Sequence, residues 1–457
     1  MDIEQTRKRQ MIKVVFTELM MVFAVIALVV VLVLIVSGYW ISQDFKVERS
    51  GLLQISSLPS GANVVVDGED GGFFQRTNTS KMLKSGEHEI VLKKDGYDTW
   101  TKNVNIKEGL LYRVHYARLF LNARTSRLVG DYGTPALTSV SPDHTQMLLA
   151  TDKNEWMLLD LNSEAVPATK LEVAKVLPKL KTANVQQIEW SKNGDVVLLK
   201  DTSDWMLLTL HNIDKSISFK ELFGFSFDDV KFYDNSASVF VATNDGMLRK
   251  LDTNAQSVSK VLVENVSNFT VRNHHIVYVS RDEDGTFVGS LSNDRNTEML
   301  NVAGRIYAGL SKFYNDEYLT VVEDAKVTIY KGSFANSMRG AEAFGESVTF
   351  EIGFTPTEIY AGHNGEFYVF EDGNDLATLD MEASKIINFT TEAKPQWLDT
   401  DMLYVVNDGD LIVYDYDGLN RRVLAQNVDN AAVTITEERW LYYFSDGKLM
   451  RENLLPE

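Results

Sequence analysis

The side chains able to do chemistry are scattered along this chain. Seven histidines occur, His88, His115, His144, His211, His274, His275 and His363. Zinc needs three or four convergent N, S or O ligands. The adjacent His274 and His275 would point to opposite faces if they lie on a strand. There is no cysteine, which removes thiolate ligands, thiolate nucleophiles and a disulfide framework. The acid-rich stretches Asp282-Glu-Asp-Gly285 and Asp415-Tyr-Asp-Gly418 raise calcium, which takes six to eight oxygens. Neither has the full alternating-acid loop with its distal glutamate, and turn chemistry accounts for both. No Gly-x-Ser-x-Gly elbow occurs, nor a Ser-x-Asp-x-Gly-x-x-Trp box, nor a phosphate-cradling Gly-rich loop. Acidic residues are abundant, so a glycosidase-like carboxylate pair about 5–10 Å apart could exist, but the sequence does not locate one. No catalytic, cofactor-binding or metal residue is therefore assigned, and no cofactor is expected.

The elements that would position any site are clearer. Met402–Tyr416 reads MLYVVNDGDLIVYDY. Two apolar-aromatic runs suited to a half-buried pleated surface flank an Asp-Gly step, which supplies the positive φ angles of a tight hairpin turn. The pattern occurs eight times, with turn aspartates at Asp152, Asp201, Asp245, Asp282, Asp324, Asp372, Asp408 and Asp446. Trp156-Met-Leu-Leu and Trp205-Met-Leu-Leu occupy the same place in two copies. An inner strand is predicted before each hairpin and an outer strand after it. In the second copy these are VQQIEWS and SISFKEL, and in the seventh KPQWLDT and RRVLAQN. Trp190, Phe232, Phe313 and Trp397 recur near the inner strand's end and are expected as core between repeats, not as a sugar platform. A four-stranded repeat of about 40–45 residues is a β-propeller blade. The expected fold is mostly β: an N-terminal transmembrane helix, a small sandwich-like β domain and an eight-bladed propeller over 136–457, seven blades being the alternative. The eighth copy lacks an outer strand. An open edge must be paired, so a segment in the 111–135 connector, either His115–Asn122 or Ser126–Tyr132, is expected to supply it.

The 457 residues carry a formal charge of −19. That argues against nucleic-acid or anionic-lipid binding, both of which need a basic face. Residues 1–13 are basic, with Arg7, Lys8, Arg9 and Lys13, and Leu19–Val36 is uncharged and apolar. The helix predicted over 14–41 is long enough to cross a bilayer. Tyr39 and Trp40 sit where an aromatic belt would, and Glu18 falls at the near edge. The basic flank is N-terminal, and Asp44 and Glu48 follow the span. The expected topology is a single pass through the plasma membrane, with the N-terminus cytoplasmic and the later domains outside. A cleaved signal peptide is the competing reading, with Val36-Ser37-Gly38 as a poor cleavage site and an apolar run longer than the usual h-region.

After a linker over 42–50, residues 51–110 alternate apolar and polar between Gly-containing turns, which predicts a small antiparallel β domain. The residues that stand out are Gly51, Leu53, Ile55 and Ser57, then Pro59-Ser60-Gly61-Ala62, Val64, Val66 and Asp67-Gly68. Leu83, Gly86, His88, Ile90 and Gly96-Tyr97 follow. This set resembles the PEGA domain. Ser60 stands where that family has Glu, and Asn78 follows Thr77 where a Thr-Pro step is usual. The resemblance implies an accessory β module of bacterial and archaeal envelope and surface proteins, without catalytic residues and with His88 on a strand. Ser141-Pro-Asp143, Trp190-Ser-Lys-Asn-Gly194 and Asp417-Gly-Leu-Asn-Arg-Arg422 resemble, more loosely, turns of Tol-type bacterial propellers.

The expectation that follows is a membrane-anchored extracytoplasmic binding or scaffold protein of a prokaryotic cell envelope. It is non-catalytic, with an envelope protein or cell-wall glycan as partner. A glycan or peptide hydrolase with carboxylates in the propeller channel is the alternative, and a sensor ranks below both, because thirteen residues inside leave little to carry a signal. Fold alone does not decide among them.

Overall fold

Nineteen consecutive residues, Val15–Val33, have a mean hydropathy of 2.8 and no buried surface. They belong to a helix spanning Ile3–Val36. Apolar side chains cover every face of this stretch, interrupted by Thr17 and Glu18, so no solvated stripe remains. At 1.5 Å per residue the stretch is about 28 Å long, close to a bilayer's hydrocarbon thickness. The computed structural model describes residues 3–36, 39–41, 47–70, 76–234, 237–292, 295–332, 344–362 and 365–456. The basic side chains of the N-terminal tail, the rings of Tyr39 and Trp40, Ser37-Gly38, Asp44 and His363 lie outside the residues or side chains described. The chain divides into two units, Met1–Ala123 and Arg124–Glu457.

In the first unit two four-stranded sheets follow the helix. One is built on the long strand Val47–Leu58, paired with Tyr39–Ile41, with Thr79–Lys84 and, in parallel, with Leu111–Arg118. The other contains Asn63–Val66, Glu69–Asp70, Gly86–Lys93 and Trp100–Ile106. The alternation seen in the sequence sends Leu53, Ile55, Val64, Ile90, Leu92, Val104 and Ile106 into one core. Trp100 of one sheet meets Tyr116 of the other edge-on at 6.3 Å. Asn78 adopts φ +70° after Thr77. Asparagine tolerates that conformation, and the Thr77 hydroxyl accepts from the Ala62 N–H at 3.0 Å. Leu111–Arg118, expected in the connector, is thus a strand of this unit.

Among the described residues the second unit forms a series of eight four-stranded antiparallel sheets, seven of them made from consecutive strands. The eighth, Thr434–Thr436, Trp440–Ser445 and Lys448–Asn453, takes its fourth strand from Ser126–Asp131, in register Glu452↔Ser126 to Lys448↔Asp131. Of the two closing segments expected from the sequence, the later one is used. Hydrophobic clusters join neighbours around the series. Trp156 packs with Val197 and Leu208, Trp205 with Phe219 and Phe240, and Met147 with Tyr442 and Phe444 across the closure. The seventh and eighth sheets meet where the Val433 N–H donates to Tyr404 Oη at 3.2 Å. The two Trp-Met-Leu-Leu copies therefore do the same job one sheet apart.

The hairpin turns follow their residue types. Asp245-Gly246, Asp408-Gly409 and Asp446-Gly447 all have both φ angles positive, the geometry that matches the strand twist. Asp201 and Asp282 close wider turns through their carboxylates, Asp201 accepting from Ser203 and Asp204 and Asp282 from Asp284 and Gly285. Ser141 and Ser191 each donate to the residue two ahead, Asp143 and Asn193, in equivalent turns of the first two sheets.

One expectation is corrected. SISFKEL is not an outer strand beyond Ile217–Ser218. Ser218 caps a helix, Phe219–Phe223, by accepting from the Glu221 N–H, and Gly224 ends it at φ +87°. The capping geometry wins because Phe219 finds a fully buried slot against Phe240 and Phe227. His274 and His275 do not share a strand, so the condition for opposite faces is not met. His274 sits in the turn at φ +67°, beside Asn273 at φ +46°, and His275 begins the next strand.

Closure rests on a buried ion pair. Arg124 Nε lies 2.6 Å from Glu452 Oε1, and an Arg124 amine donates to the Leu424 carbonyl at 2.8 Å. The pair is 19% and 7% exposed. Arg124→Ala leaves the Glu452 carboxylate buried without its cation, and should lower unfolding stability by about 3 kcal/mol. Lys170→Ala removes only the exposed contact to Glu155 at 3.6 Å, and should cost less than about 0.5 kcal/mol. Urea unfolding midpoints of the two variants make the comparison. Equal midpoints would show that the closing pair carries no stability.

Candidate functional site

Three sheets contribute to a pocket of about 300 Å³ on the side of the second unit that carries the Asp turns. Its walls come from the start of the inner strands Val266–Arg272, Ile306–Phe313 and Glu358–Ala361. The first of these shifts register at Ser267, between Val266 and Asn268. Such bulges re-aim side chains beside sites. Gly304 precedes the second strand at φ +91°. A Cβ there would come within 2.2 Å of Asp324 Oδ2, so only glycine lets this carboxylate close on the backbone. Asp324 accepts from the Arg305 N–H at 2.9 Å and its own N–H donates to the Arg305 carbonyl at 2.9 Å. The carboxylate is thereby committed to fixing the turn.

That leaves Arg305, Tyr307 and Thr355 facing the pocket. None of these three side chains forms a hydrogen bond or ion pair with the described residues. Burial raises the Tyr307 phenol above its ordinary value, so it stays protonated and can donate. A guanidinium offers a planar fork of donors that matches a carboxylate or phosphate. The site is therefore a donor-lined recess for an oxygen-rich ligand. Asn268 is partly engaged, accepting from the Ala308 N–H at 3.4 Å. The Thr357 hydroxyl and N–H both donate to the Glu371 carbonyl, at 3.1 and 2.7 Å.

Through Thr357 the pocket wall continues into a second polar group. Tyr360 donates to Glu371 Oε2 at 3.0 Å. Lys394 Nζ lies 2.6 Å from Glu358 and 3.9 Å from Glu371. Burial raises the Glu371 carboxyl, and Tyr360 and Lys394 pull against it. This network is internally satisfied, and it holds the pocket's sixth-sheet wall.

On the inner strand of the second sheet, Glu189 is pushed up to about 7 by desolvation, opposed by Lys231 and reinforced by Asp229. Lys231 and Asp229 are 3.5 Å apart on the neighbouring inner strand. Glu189 is half-buried, and the protein around its carboxyl desolvates it.

The residues singled out in the sequence do not converge on the pocket. Trp190, Phe232, Phe313 and Trp397 all lie in the hydrophobic clusters between sheets, as expected of core. His88 is on a strand and bridges Asp67 and the Lys84 carbonyl, at 2.6 and 2.7 Å. His144 contacts Thr434 at 2.7 Å, His211 lies near Asp195 and His274 near Asp234. In the Asp415–Gly418 turn, Asp415 accepts from Asn420 at 2.8 Å and Asp417 from the Leu419 N–H at 3.2 Å. Arg305, Tyr307 and Thr355 had no signal in the sequence, since no motif surrounds them.

Comparison with known families adds one assignment. Residues 50–118 match the PEGA domain. The match covers both sheets of the first unit apart from Tyr39–Ile41 and the first three residues of Val47–Leu58, and it includes the parallel strand Leu111–Arg118. No curated protein matches the chain. Among solved structures the chain is similar to the C-terminal WD40 domain of Sif2, at 11% identity and TM-score 0.46, covering 73% of this chain and 99% of that one. It is also similar to streptogramin B lyase, at 12% identity and TM-score 0.39 over 73% and 98% of the two chains. A third is the β-propeller domain of Cps50 (Swd1) from Myceliophteria thermophila, at 9% identity and TM-score 0.41 over 72% and 100%. These neighbours include an enzyme and non-enzymes.

The desolvated Glu189 has a measurable consequence. Its carboxyl titrates at 4.5 ordinarily and at about 7 in the fold. A raised folded pKa means a contribution fully present below about 4.5 and lost as pH rises through about 7. A shift of about 2.5 units corresponds to roughly 3 kcal/mol at most. Glu189→Gln should remove this dependence. Between pH 5 and 8 the wild-type urea midpoint should fall relative to the variant. Parallel curves would show that Glu189 is not desolvated.

Proposed function

We propose that this is a single-pass membrane-anchored protein of a prokaryotic cell envelope whose extracytoplasmic domains bind or scaffold. The apolar helix is the anchor, with the N-terminus cytoplasmic. The PEGA domain is the accessory module beside it, and the ring of sheets presents the ligand contact. The observation that carries the binding reading is the pocket around Arg305. The side chains of Arg305, Tyr307 and Thr355 have no hydrogen-bond partner among the described residues, while Asp324, the one carboxylate in its lining, is spent on the turn. Such a recess holds an oxygen-rich group, and cell-wall glycan is the partner class that offers one in this compartment; an envelope protein with an acidic side chain is the other.

Arg305 is exposed, so Arg305→Ala should leave thermal stability within about 0.5 kcal/mol of wild type. Co-sedimentation of the detergent-solubilised protein with isolated cell-wall material should fall about tenfold or more in that variant, the loss expected of a charge-assisted contact. Unchanged pelleting would remove the pocket from the reading. Recovery of a membrane protein with no pelleting would turn the role to scaffolding.

The hydrolase alternative is favoured by Glu189 alone, a carboxyl near neutrality being a general-acid type. Release of reducing ends from wall glycan, abolished in Glu189→Gln, would establish it.

Topology is tested separately. Protease added to intact cells should remove the domains after the helix. Full protection, lost only on lysis, would place them inside.

A further inference from the structure

Among the described residues in the β part of the first unit, the large hydrophobics left exposed are Leu110 and Leu111, at 57% and 45%. They are adjacent, where the loop after Trp100–Ile106 enters the strand Leu111–Arg118. Single exposed leucines need no explanation. An adjacent pair at one end of the domain does, and its position in the chain supplies one.

The loop is fixed to the part of the domain nearest the helix. The Gly109 N–H donates to the Ser50 carbonyl and the Leu52 N–H to the Leu110 carbonyl, both at 2.9 Å. Arg49 and Glu108 pair at 2.8 Å. Gly51 makes this approach possible, since a Cβ there would meet the Lys107 carbonyl at 2.3 Å. Arg49 in turn lies opposite Tyr39 in the strand pair Tyr39–Ile41 with Val47–Leu58. Tyr39 is three residues beyond Val36, where the helix ends. Three residues reach about 10 Å and a strand pair adds about 5 Å. Arg49 is thus within roughly 15 Å of the helix end, and the leucine-bearing loop is hydrogen-bonded to the very next residue.

We infer that Leu110 and Leu111 insert into the membrane interface as a second contact beside the helix, holding the PEGA domain against the lipid surface. The inference rests on reading Val15–Val33 as a membrane span. The occupant is lipid because the chain itself delivers the loop there. Lys107 and Lys84 are exposed on the same end, and cationic side chains of this kind settle at headgroups with their stems along apolar surface.

The chain has no cysteine, so single labels can be placed without background. Leu111→Cys, Val25→Cys and Asp95→Cys would each carry an environment-sensitive fluorophore in the full-length protein. The protein would be reconstituted into phosphatidylcholine vesicles containing a spin-labelled quencher lipid. Val25 reports the span. Asp95 lies in the turn after Gly86–Lys93, whose Lys94 bonds the Ser60 carbonyl at the opposite end of the sandwich. Expected are strong quenching at 25, at least twofold quenching with a blue shift at 111, and neither at 95. Quenching at 25 with position 111 matching position 95 overturns the inference and leaves the anchor standing. No quenching at 25 overturns both. Gly51→Ala, which pushes the loop off its strand, should reduce the signal at 111 without changing that at 25. A signal at 111 insensitive to this change would show that the loop's fixed position is not what places it in the interface, and would also overturn the inference.

Discussion

A β-sheet with an open edge exposes a row of unpaired backbone groups, and a series of eight sheets in a chain has such an edge at its end. The pairing of Ser126–Asp131 with Lys448–Asn453 removes it. The two segments are far apart in sequence, Arg124 and Glu452 being separated by 328 positions. Distance along the chain is a weak obstacle. Each doubling of a loop costs only about 0.6 kcal/mol, so closing the whole ring instead of a single repeat, some eight times shorter, adds roughly 2 kcal/mol. A buried ion pair, the Tyr443–Ser126 contact at 3.0 Å and a strand ladder stand against that sum. What closure gains is more than its own bonds. The cluster of Met147, Leu159, Tyr442 and Phe444 forms only when the last sheet lies on the first.

Once the ring is closed, hydrophobic clusters fill the space between neighbouring sheets, and buried polar groups occur on several strands of a sheet, Thr320 on a second, Thr378 and Glu452 on a third. Glu189 lies on the inner strand Gln187–Trp190, while the buried Glu371 and Glu452 lie on later strands of their sheets. The Arg305 pocket occurs where the fourth sheet's inner strand bulges at Ser267 and the fifth is entered through Gly304. Regular pleating would have closed the space. Irregular backbone at these two places borders the recess, and Asp324 fixes the turn at Arg305.

The hairpins were legible because their causes are local. Asp408-Gly409 demands its turn whatever surrounds it, and the alternation in Met402–Tyr416 sets which residues face the neighbouring sheets. The closing strand was narrowed to two segments by counting strands, but choosing between them depended on Leu111–Arg118 being claimed by Val47–Leu58, a pairing with no local signature. The Phe219–Phe223 helix was missed because alternation in SISFKEL fits a strand, while Ser218 and Glu221 also fit a cap, and tertiary packing of Phe219 decided. The pocket was invisible for a different reason. Arg305, Tyr307 and Thr355 meet only through the stacking of adjacent sheets, so their sequence neighbourhood carries no trace of the site.

The size of that pocket bears on how such a protein can hold its partner. A group of about a dozen heavy atoms, bound at roughly 0.3 kcal/mol per atom, contributes about 4 kcal/mol, which is a millimolar dissociation constant. A millimolar site is useless to a freely diffusing receptor of a soluble ligand. It is sufficient for a tethered one facing a polymer, because chains confined to one surface meet many copies of the same group, and each further engagement is set by local concentration and no longer by the bulk. The tether then does the work that a deep cavity would do elsewhere. A second contact at the membrane, by restricting the orientations available to the domain beside the helix, would raise that local concentration further without any new bond to the ligand. On this view the apolar helix, the small β domain and a shallow donor-lined recess form one binding device, and the weakness of the recess is compatible with its use.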